Sequence, residues 1–420
     1  MSSGSSNNNN NKAKATGTTF QLHASSAQLE SFGDDVASLW CSSIIGRLQQ
    51  TPESSFTLEF QRDYVSRSRP CIIEKAIQNS IGGDLTLSLN ELVERASSQL
   101  SITVNVTPDG HGDVVRTVHG ADGRTRRMFV KPQEKAMTLS EFTKQLREAG
   151  RDEIKTPDFT FPFDTDGRAI LSLAEATAGP NVLLSCATNI NDVLYYSRQN
   201  DCLRTEFKSL FDSNLVPSTF TWAEDAFGTG PPDAINVWIG DERAVSSMHK
   251  DHYENLFYVL EGEKVFTLCP PGDVPFLYEG EFESGTFHRD LGNGNWKVVP
   301  DVNGFEECGV NNVVKWIEAD VEPLLEQSTR TKQINRFPLL ERVHPIKITV
   351  RAGEMLYLPS LWFHRVTQTC ETLGINYWYD MKFDSPLWCY FNFLQQLTLV
   401  VEHDDETKAL REQSGNKQQD

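Results

Sequence analysis

Between residues 20 and 51 the apolar positions Leu29, Val36, Leu39, Ile44, Ile45 and Leu48 return at helical spacing, predicting an amphipathic packing helix. From Phe56 to Glu74 the pattern alternates toward strand, with Pro70 breaking into Cys71-Ile72-Ile73. Ile102–Val106 predicts another strand, closed by the turn residues Pro108-Asp109-Gly110. Residues 138–149 predict a short helix, with Ser140 placed to cap it and Glu141 behind. From Ala234 onward the texture changes to short aromatic and β-branched runs separated by Gly, Pro and Asp. These are Ile235–Ile239, Leu256–Leu260, Val265–Leu268, Ile346–Val350, Met355–Leu358 and Gly374–Tyr379. Many short strands with turns between them predict an all-β sandwich or barrel. Residues 279–345, rich in Gly, Asn, Asp and Glu, interrupt this spacing and predict a long insertion with little regular structure. After Pro386 a helical period returns at Leu387, Phe391, Leu394, Leu397, Val400 and Val401.

The Ser/Asn-rich residues 1–18 predict a disordered tail, and the polar residues 404–420 a frayed end. The organisation expected is therefore tail 1–18, flanking helices and strands 19–179, a β domain 180–385 carrying the insertion 279–345, and a helical segment with a polar tail 386–420.

The 420 residues include 39 Lys and Arg against 58 Asp and Glu, a net charge of −19. That field disfavours a phosphate backbone and attracts a basic partner, so nucleic acid is not expected and a lysine- or arginine-bearing peptide is. No run approaches the length of a membrane-spanning helix, and the N-terminus lacks the apolar core of a secretory signal. The eight cysteines are widely spaced and fit reduced thiols. The expected setting is the cytoplasm, with the nucleus as a second compartment.

His249 and Asp251 are two residues apart, and on an extended strand they project to the same face. His364, behind the segment Gly353–Trp362, offers a third ligand. Two histidines and a carboxylate on one side of a metal leave positions open for co-substrates, which suits non-haem Fe(II). A zinc hydrolase site, or polar residues meeting by chance, would share that spacing. His252, at i+3, faces away from His249, and the other histidines default to structural or solvated roles. Lys264 follows a hairpin turn at Glu261-Gly262-Glu263 and shares a strand face with Phe266 and Leu268. An ammonium turned inward there needs an anionic partner, and a dicarboxylate would supply one.

The segments AINVWIGDERAVSSMHKDHYENLFYVLEGEKVFTLCPP, VRAGEMLYLPSLWFHRV and INYWYDMKFDSP resemble the JmjC branch of the 2-oxoglutarate- and Fe(II)-dependent oxygenases, most closely its lysyl hydroxylases. RDYVSRSRPCII and ITVNVTPDGHGD extend the likeness upstream, so that it runs from about residue 55 to 400, interrupted by insertions. The resemblance implies a double-stranded β-helix of jelly-roll, cupin-like type with flanking helices. It implies His249, Asp251 and His364 as iron ligands and Fe(II), 2-oxoglutarate and dioxygen as cofactor and co-substrates. Lys264 would meet the distal carboxylate of 2-oxoglutarate, helped by Ser246 and Tyr195, with Asn255 and Asn376 nearby. Ser246 stands where the family commonly has threonine, and Phe257 where a tyrosine is expected.

The activity implied is protein lysyl hydroxylation, on a translation-factor-type GTPase of the developmentally regulated GTP-binding class. N-methyl-lysine demethylation, proteolysis of basic tails, and a non-catalytic cupin-like binding module are the alternatives. An H-E-x-x-H helix for hydrolysis is absent from the sequence, and the complete ligand set argues against a dead module. The stripe from Leu387 to Val401 suits either packing on the same barrel or the homodimer that C-terminal helices of the family often form.

Overall fold

The structure is a computed structural model that describes residues 26–40, 45–51, 54–77, 85, 87–119, 125–149, 183–186, 192–212, 216–289, 296–301 and 313–396. The expected tail 1–18, the boundary at 179 and the end 404–420 lie outside the described residues. In chain order the strands begin with β1 (Gly46–Gln49), β2 (Cys71–Glu74), β3 (Ser101–Thr107), β4 (His111–Gly112) and β5 (Val114–His119). Next come β6 (Thr125–Lys131), β7 (Gln133–Thr138), β8 (Leu183–Cys186), β9 (Val193–Tyr195) and β10 (Ala234–Gly240). Then follow β11 (Val245–His249), β12 (Tyr253–Glu261), β13 (Glu263–Cys269), β14 (Glu279–Arg289) and β15 (Trp296–Pro300). The last are β16 (Val313–Ile317), β17 (Ile346–Arg351), β18 (Glu354–Leu358), β19 (Phe363–Gln368) and β20 (Thr372–Asp380).

Two mainly antiparallel sheets form the double-stranded β-helix expected of the sequence: β1-β2-β18-β12-β20-β10 and β17-β13-β19-β11-β4. The first sheet is buried on both faces, which is why its strands read as apolar runs rather than as an alternation. Trp238, Phe257, Leu356 and Trp378 turn inward to meet Phe266 and Leu268 of the second sheet. Val237, Leu256, Tyr357 and Tyr377 turn outward and pack with residues of the N-terminal helices. The hairpin between β12 and β13 turns at Gly262, whose φ of +80° puts a would-be Cβ 2.3 Å from the Glu371 carbonyl; only glycine fits.

Several sequence expectations change. The first helix covers only Ser26–Trp40, and Gly46–Gln49 is a strand paired in parallel with β2. Leu48 is buried there through sheet pairing, not through a helical face. The segment from Phe56 is not extended: Ser54–Phe60 is an α-helix that runs into a wider turn over Gln61–Val65, and only Cys71–Glu74 is strand. Phe56, Phe60 and Tyr64 recur every four residues, and Phe60 is enclosed by the rings of Trp222, Phe227 and Tyr357. The helix Leu139–Ala149 is capped by Thr138, not Ser140. Glu141 N–H donates to Thr138 Oγ1 at 3.1 Å and Thr138 N–H to Glu141 Oε2 at 2.9 Å, a reciprocal capping box.

The largest correction concerns residues 279–345. They contain β14, β15, β16 and a helix Gln327–Arg336. With β5, β6 and β8 these strands build a third sheet, β5-β6-β14-β15-β8, with β16 beside β14. Its polar composition follows from one wet face: along β14, Glu281, Glu283 and His288 are exposed while Phe282 and Phe287 are buried.

The C-terminal helix spans 386–396, and Phe391 and Leu394 are buried in the same cluster as Phe363 and Met381. The described part of that apolar stripe is thus covered by its own chain, while Leu397, Val400 and Val401 lie outside the described residues. Cys71, Cys202, Cys269, Cys370 and Cys389 are free thiols. Among the described residues no helix is long and apolar enough to cross a membrane.

Candidate active site

Strand β11 ends at His249, and its neighbour β19 carries His364 directly across the pair. Asp251 lies just past the strand, in the connection to β12, rather than two places along an extended run. Its carbonyl accepts from the Leu361 N–H at 2.9 Å, which pins that connection to the turn leading into β19. One ligand atom from each of His249, Asp251 and His364 lies within 4.8 Å of the others. The two imidazole rings are 4.2 Å apart, and His364 Nε2 is 3.6 Å from Asp251 Oδ2.

Each imidazole is oriented by a backbone carbonyl. His249 Nδ1 is 2.7 Å from the Ser247 carbonyl and His364 Nδ1 is 3.0 Å from that of Trp362. An Nδ1–H donated in this way leaves Nε2 with a lone pair, the tautomer a metal ligand needs. Burial, with His249 beside it, holds His364 down to about 4, so its ring is neutral at neutral pH. His252 turns away, as its position predicts, and packs its ring 5.3 Å from that of Trp388.

Lys264 is the second residue of β13 and is completely buried. Its Nζ donates to Tyr195 Oη at 2.8 Å and to Gln368 Oε1 at 2.9 Å, and lies 4.9 Å from the centre of the Tyr195 ring. All of these partners are neutral, and burial pulls the ammonium down to about 7. The Ser246 hydroxyl hydrogen-bonds the Tyr195 phenol, whose ionisation burial pushes up. Gln368 cannot turn over freely, because its amide N–H groups donate to the carbonyls of Asp241 and Ala244. Its carbonyl oxygen is therefore held toward Lys264. Tyr195 can lie this close only because residue 240 is glycine: a Cβ there would sit 2.5 Å from the Tyr195 ring.

Deeper in the barrel, Asn376 Nδ2 donates to Asn255 Oδ1 at 3.3 Å, and Trp238 Nε1 donates to Asn376 Oδ1 at 2.9 Å. Phe257, in place of a hydroxyl-bearing ring, sets its face 5.7 Å from the Lys264 ammonium. All eight residues singled out in the sequence, His249, Asp251, His364, Lys264, Ser246, Tyr195, Asn255 and Asn376, line one cavity of about 260 Å³.

Sequence reasoning missed three contributors. Gln368 carries no motif, and its role follows only from the register that sets it opposite Lys264. Trp316 comes from β16, inside the segment expected to be irregular. Its ring is parallel to that of His249, at 6° and 5.7 Å, and its Nε1 donates to Ser247 Oγ at 2.9 Å. Asp113, just after β4, lines the same cavity.

The donor set suits a divalent first-row metal with open positions, and a buried ammonium facing only neutral partners suits a carboxylate arriving from solution. Comparison with known proteins points the same way. A model of the cupin-like domain family matches residues 57–385. JmjC domain-containing protein E of Dictyostelium discoideum is 33% identical over 357 residues, covering 82% of this chain and 87% of the relative. Lysine-specific demethylase JMJ32 of Arabidopsis thaliana is 32% identical over 377 residues, covering 88% and 91%. The human bifunctional peptidase and (3S)-lysyl hydroxylase JMJD7 is 33% identical over 342 residues, covering 81% and 86%.

Proposed function

Since this chain belongs to the cupin-like JmjC family of 2-oxoglutarate oxygenases, we propose that it is an Fe(II)- and 2-oxoglutarate-dependent protein lysyl hydroxylase. We take its substrate to be a lysine of a translation-factor-type GTPase, of the developmentally regulated GTP-binding class that the sequence resemblance implies. The observation that carries the reading is a His249–Asp251–His364 cluster sharing one cavity with a buried lysine that has no anionic partner among the described residues.

In this reading His249, Asp251 and His364 hold Fe(II). Iron, 2-oxoglutarate and dioxygen together supply the oxidising chemistry that converts a C–H bond to C–OH, with succinate and carbon dioxide released. The protein's own residues bind and orient. Lys264 pairs with the distal carboxylate, and Tyr195 and Ser246 add hydroxyl donors. The arriving negative charge restores the proton that burial loosens on Lys264. Gln368 keeps the ammonium aimed while the cavity is being filled, because its own donors are committed to Asp241 and Ala244. Trp238, Phe257 and Trp378 keep the interior dry, which strengthens each charge interaction inside.

The test is mass spectrometry of a lysine peptide from a candidate GTPase after incubation with enzyme, Fe(II), ascorbate and 2-oxoglutarate, with His249→Ala alongside. A gain of about 16 mass units on lysine, absent in the variant, is the expected result. A methylated peptide losing about 14 units would instead assign the demethylase activity named for the Arabidopsis relative. An unchanged peptide with 2-oxoglutarate still consumed would discard this substrate and leave the oxygenase.

A further inference from the structure

The cavity is lined by two carboxylates among the described residues, Asp251 and Asp113. Asp251 belongs to the metal cluster. The Asp113 side chain makes no hydrogen bond or ion pair in the described structure, although Asp and Glu side chains lining protein interiors are usually matched. The charged groups that act on it are His249, the cluster residue, and Lys131, whose Nζ is already bound to Asp301 at 2.9 Å. The two lysines of the cavity wall are committed as well, Lys250 to Glu279 and Lys264 to Tyr195 and Gln368. Among the described residues, the Asp113 carboxyl group thus stands at the cavity wall with no cation bound to it, and burial holds its pKa above the usual carboxylate range.

Its placement is enforced. Asp113 has φ +52°, a left-handed conformation that few side chains tolerate. Ser247 Oγ donates to the Asp113 carbonyl, and Trp316 Nε1 donates to the same Ser247 hydroxyl. The Ser247 carbonyl in turn orients His249. The loop bearing Asp113 is therefore keyed, through one serine, to the strand that bears the metal cluster.

The surroundings suit a cation on an aliphatic stem. Phe129 and Trp316, whose ring centres are 4.7 Å apart, line the cavity near this point. A second, open groove of about 710 Å³ shares Asn105, Asp113, Pro132, Ser197 and Gln199 with the cavity. Asp113 therefore stands where a bound chain in the groove would send a side chain inward.

Resting on the hydroxylase reading above, we propose that Asp113 receives the ε-ammonium of the substrate lysine, with Phe129 and Trp316 flanking its methylene stem. Asp113 would then be the residue that selects lysine over an uncharged side chain of the same length. The ammonium lies several bonds from any side-chain carbon near the backbone, so its anchor should stand beside the metal cluster rather than within it. Asp113 does so.

Direct binding tests this without turnover. Full-length protein with Fe(II) and 2-oxoglutarate, held under argon, is titrated with a GTPase-derived lysine peptide and with the same peptide carrying norleucine, an uncharged stand-in. Wild-type protein is expected to prefer the lysine peptide by about ten- to a hundredfold, the range of one charge-assisted hydrogen bond. Asp113→Asn tolerates the left-handed backbone and should bind both peptides equally, near the norleucine affinity of wild type. Asp113→Glu should keep part of the preference. Discrimination retained in Asp113→Asn would overturn the inference while leaving the substrate class intact. Loss of both peptides together would assign Asp113 to loop structure and overturn it too. Absence of discrimination in wild type would sink the lysine reading itself, and this inference with it.

Discussion

Lys264 should be unstable to carry when no dicarboxylate is bound, and Lys264→Met makes that measurable. The residue is fully buried, and the fall of its ammonium from 10.5 to about 7 corresponds to about 5 kcal/mol against the charged form. At pH 7 roughly 4 kcal/mol of that cost is present in the folded, ligand-free protein. Methionine removes it, but leaves Gln368 Oε1 without its donor and loses the bond to Tyr195, together about 2–3 kcal/mol. The variant should therefore be more stable than wild type by about 1–2 kcal/mol at pH 7. The sign with pH follows from proton counts. Between about 7 and 10.5 the unfolded chain keeps the Lys264 proton and the folded chain releases it, so wild-type stability rises with pH. The slope approaches about 1.4 kcal/mol per pH unit, and the variant lacks it. The two stability curves should cross near pH 8 to 9. Denaturant unfolding of both proteins from pH 6.5 to 9.5, with and without 2-oxoglutarate, reads this directly. Added 2-oxoglutarate should stabilise wild type, flatten its pH slope and do little for the variant. A variant less stable than wild type at pH 7, with parallel pH curves, would refute the buried-cation reasoning.

Other predictions follow from single contacts. Gly240→Ala drives a methyl into the Tyr195 ring and should cost about 1–3 kcal/mol in thermal unfolding while weakening 2-oxoglutarate binding in calorimetry. Trp316→Ala removes the ring stacked on His249 and the bond to Ser247, so Mn(II) affinity, read by electron paramagnetic resonance, should drop about ten- to a hundredfold; Trp316→Phe should recover much of it. Glu254 is half-buried and accepts from Tyr357 Oη at 2.7 Å and Ser360 Oγ at 2.8 Å, tying down the turn ahead of His364. Glu254→Ala should cost about 2–4 kcal/mol in urea unfolding by stranding both hydroxyls.

The part of the site that was legible in the sequence is the part encoded by short-range chemistry. His249 and Asp251 are two residues apart in the chain, and Lys264 lies near the start of a strand whose inward face shows in Phe266 and Leu268. Each announces itself by residue type and local spacing. Gln368 and Trp316 do not, because a glutamine or tryptophan acquires its role from the partner that sheet register sets against it. The misread helices have a similar cause. Phe56, Phe60 and Tyr64 carry a four-residue period, but the apolar residues between and after them blur it into alternation. Ser140 was read as the cap although it directly precedes Glu141, whereas Thr138 stands three residues before it, the spacing that a capping box requires. Residues 279–345 were misjudged on composition: half-exposed strands are as rich in Glu and Asp as a loop. The β domain itself was legible because the strands of its first sheet are buried on both sides and read as short apolar runs.

The wall beside the metal cluster is assembled from distant stretches of chain. Segments 111–131 and 279–317 meet there through the parallel pairing of β6 with β14, and they contribute Asp113, Phe129 and Trp316. The cluster and Lys264 come instead from β11, β13, β19 and the turn after β11. Under the role proposed for Asp113, the choice of target draws on different stretches of chain from those that carry the metal cluster. Exchanges in the third sheet that keep Trp316 against His249 would then be a practical route to retargeting such an enzyme.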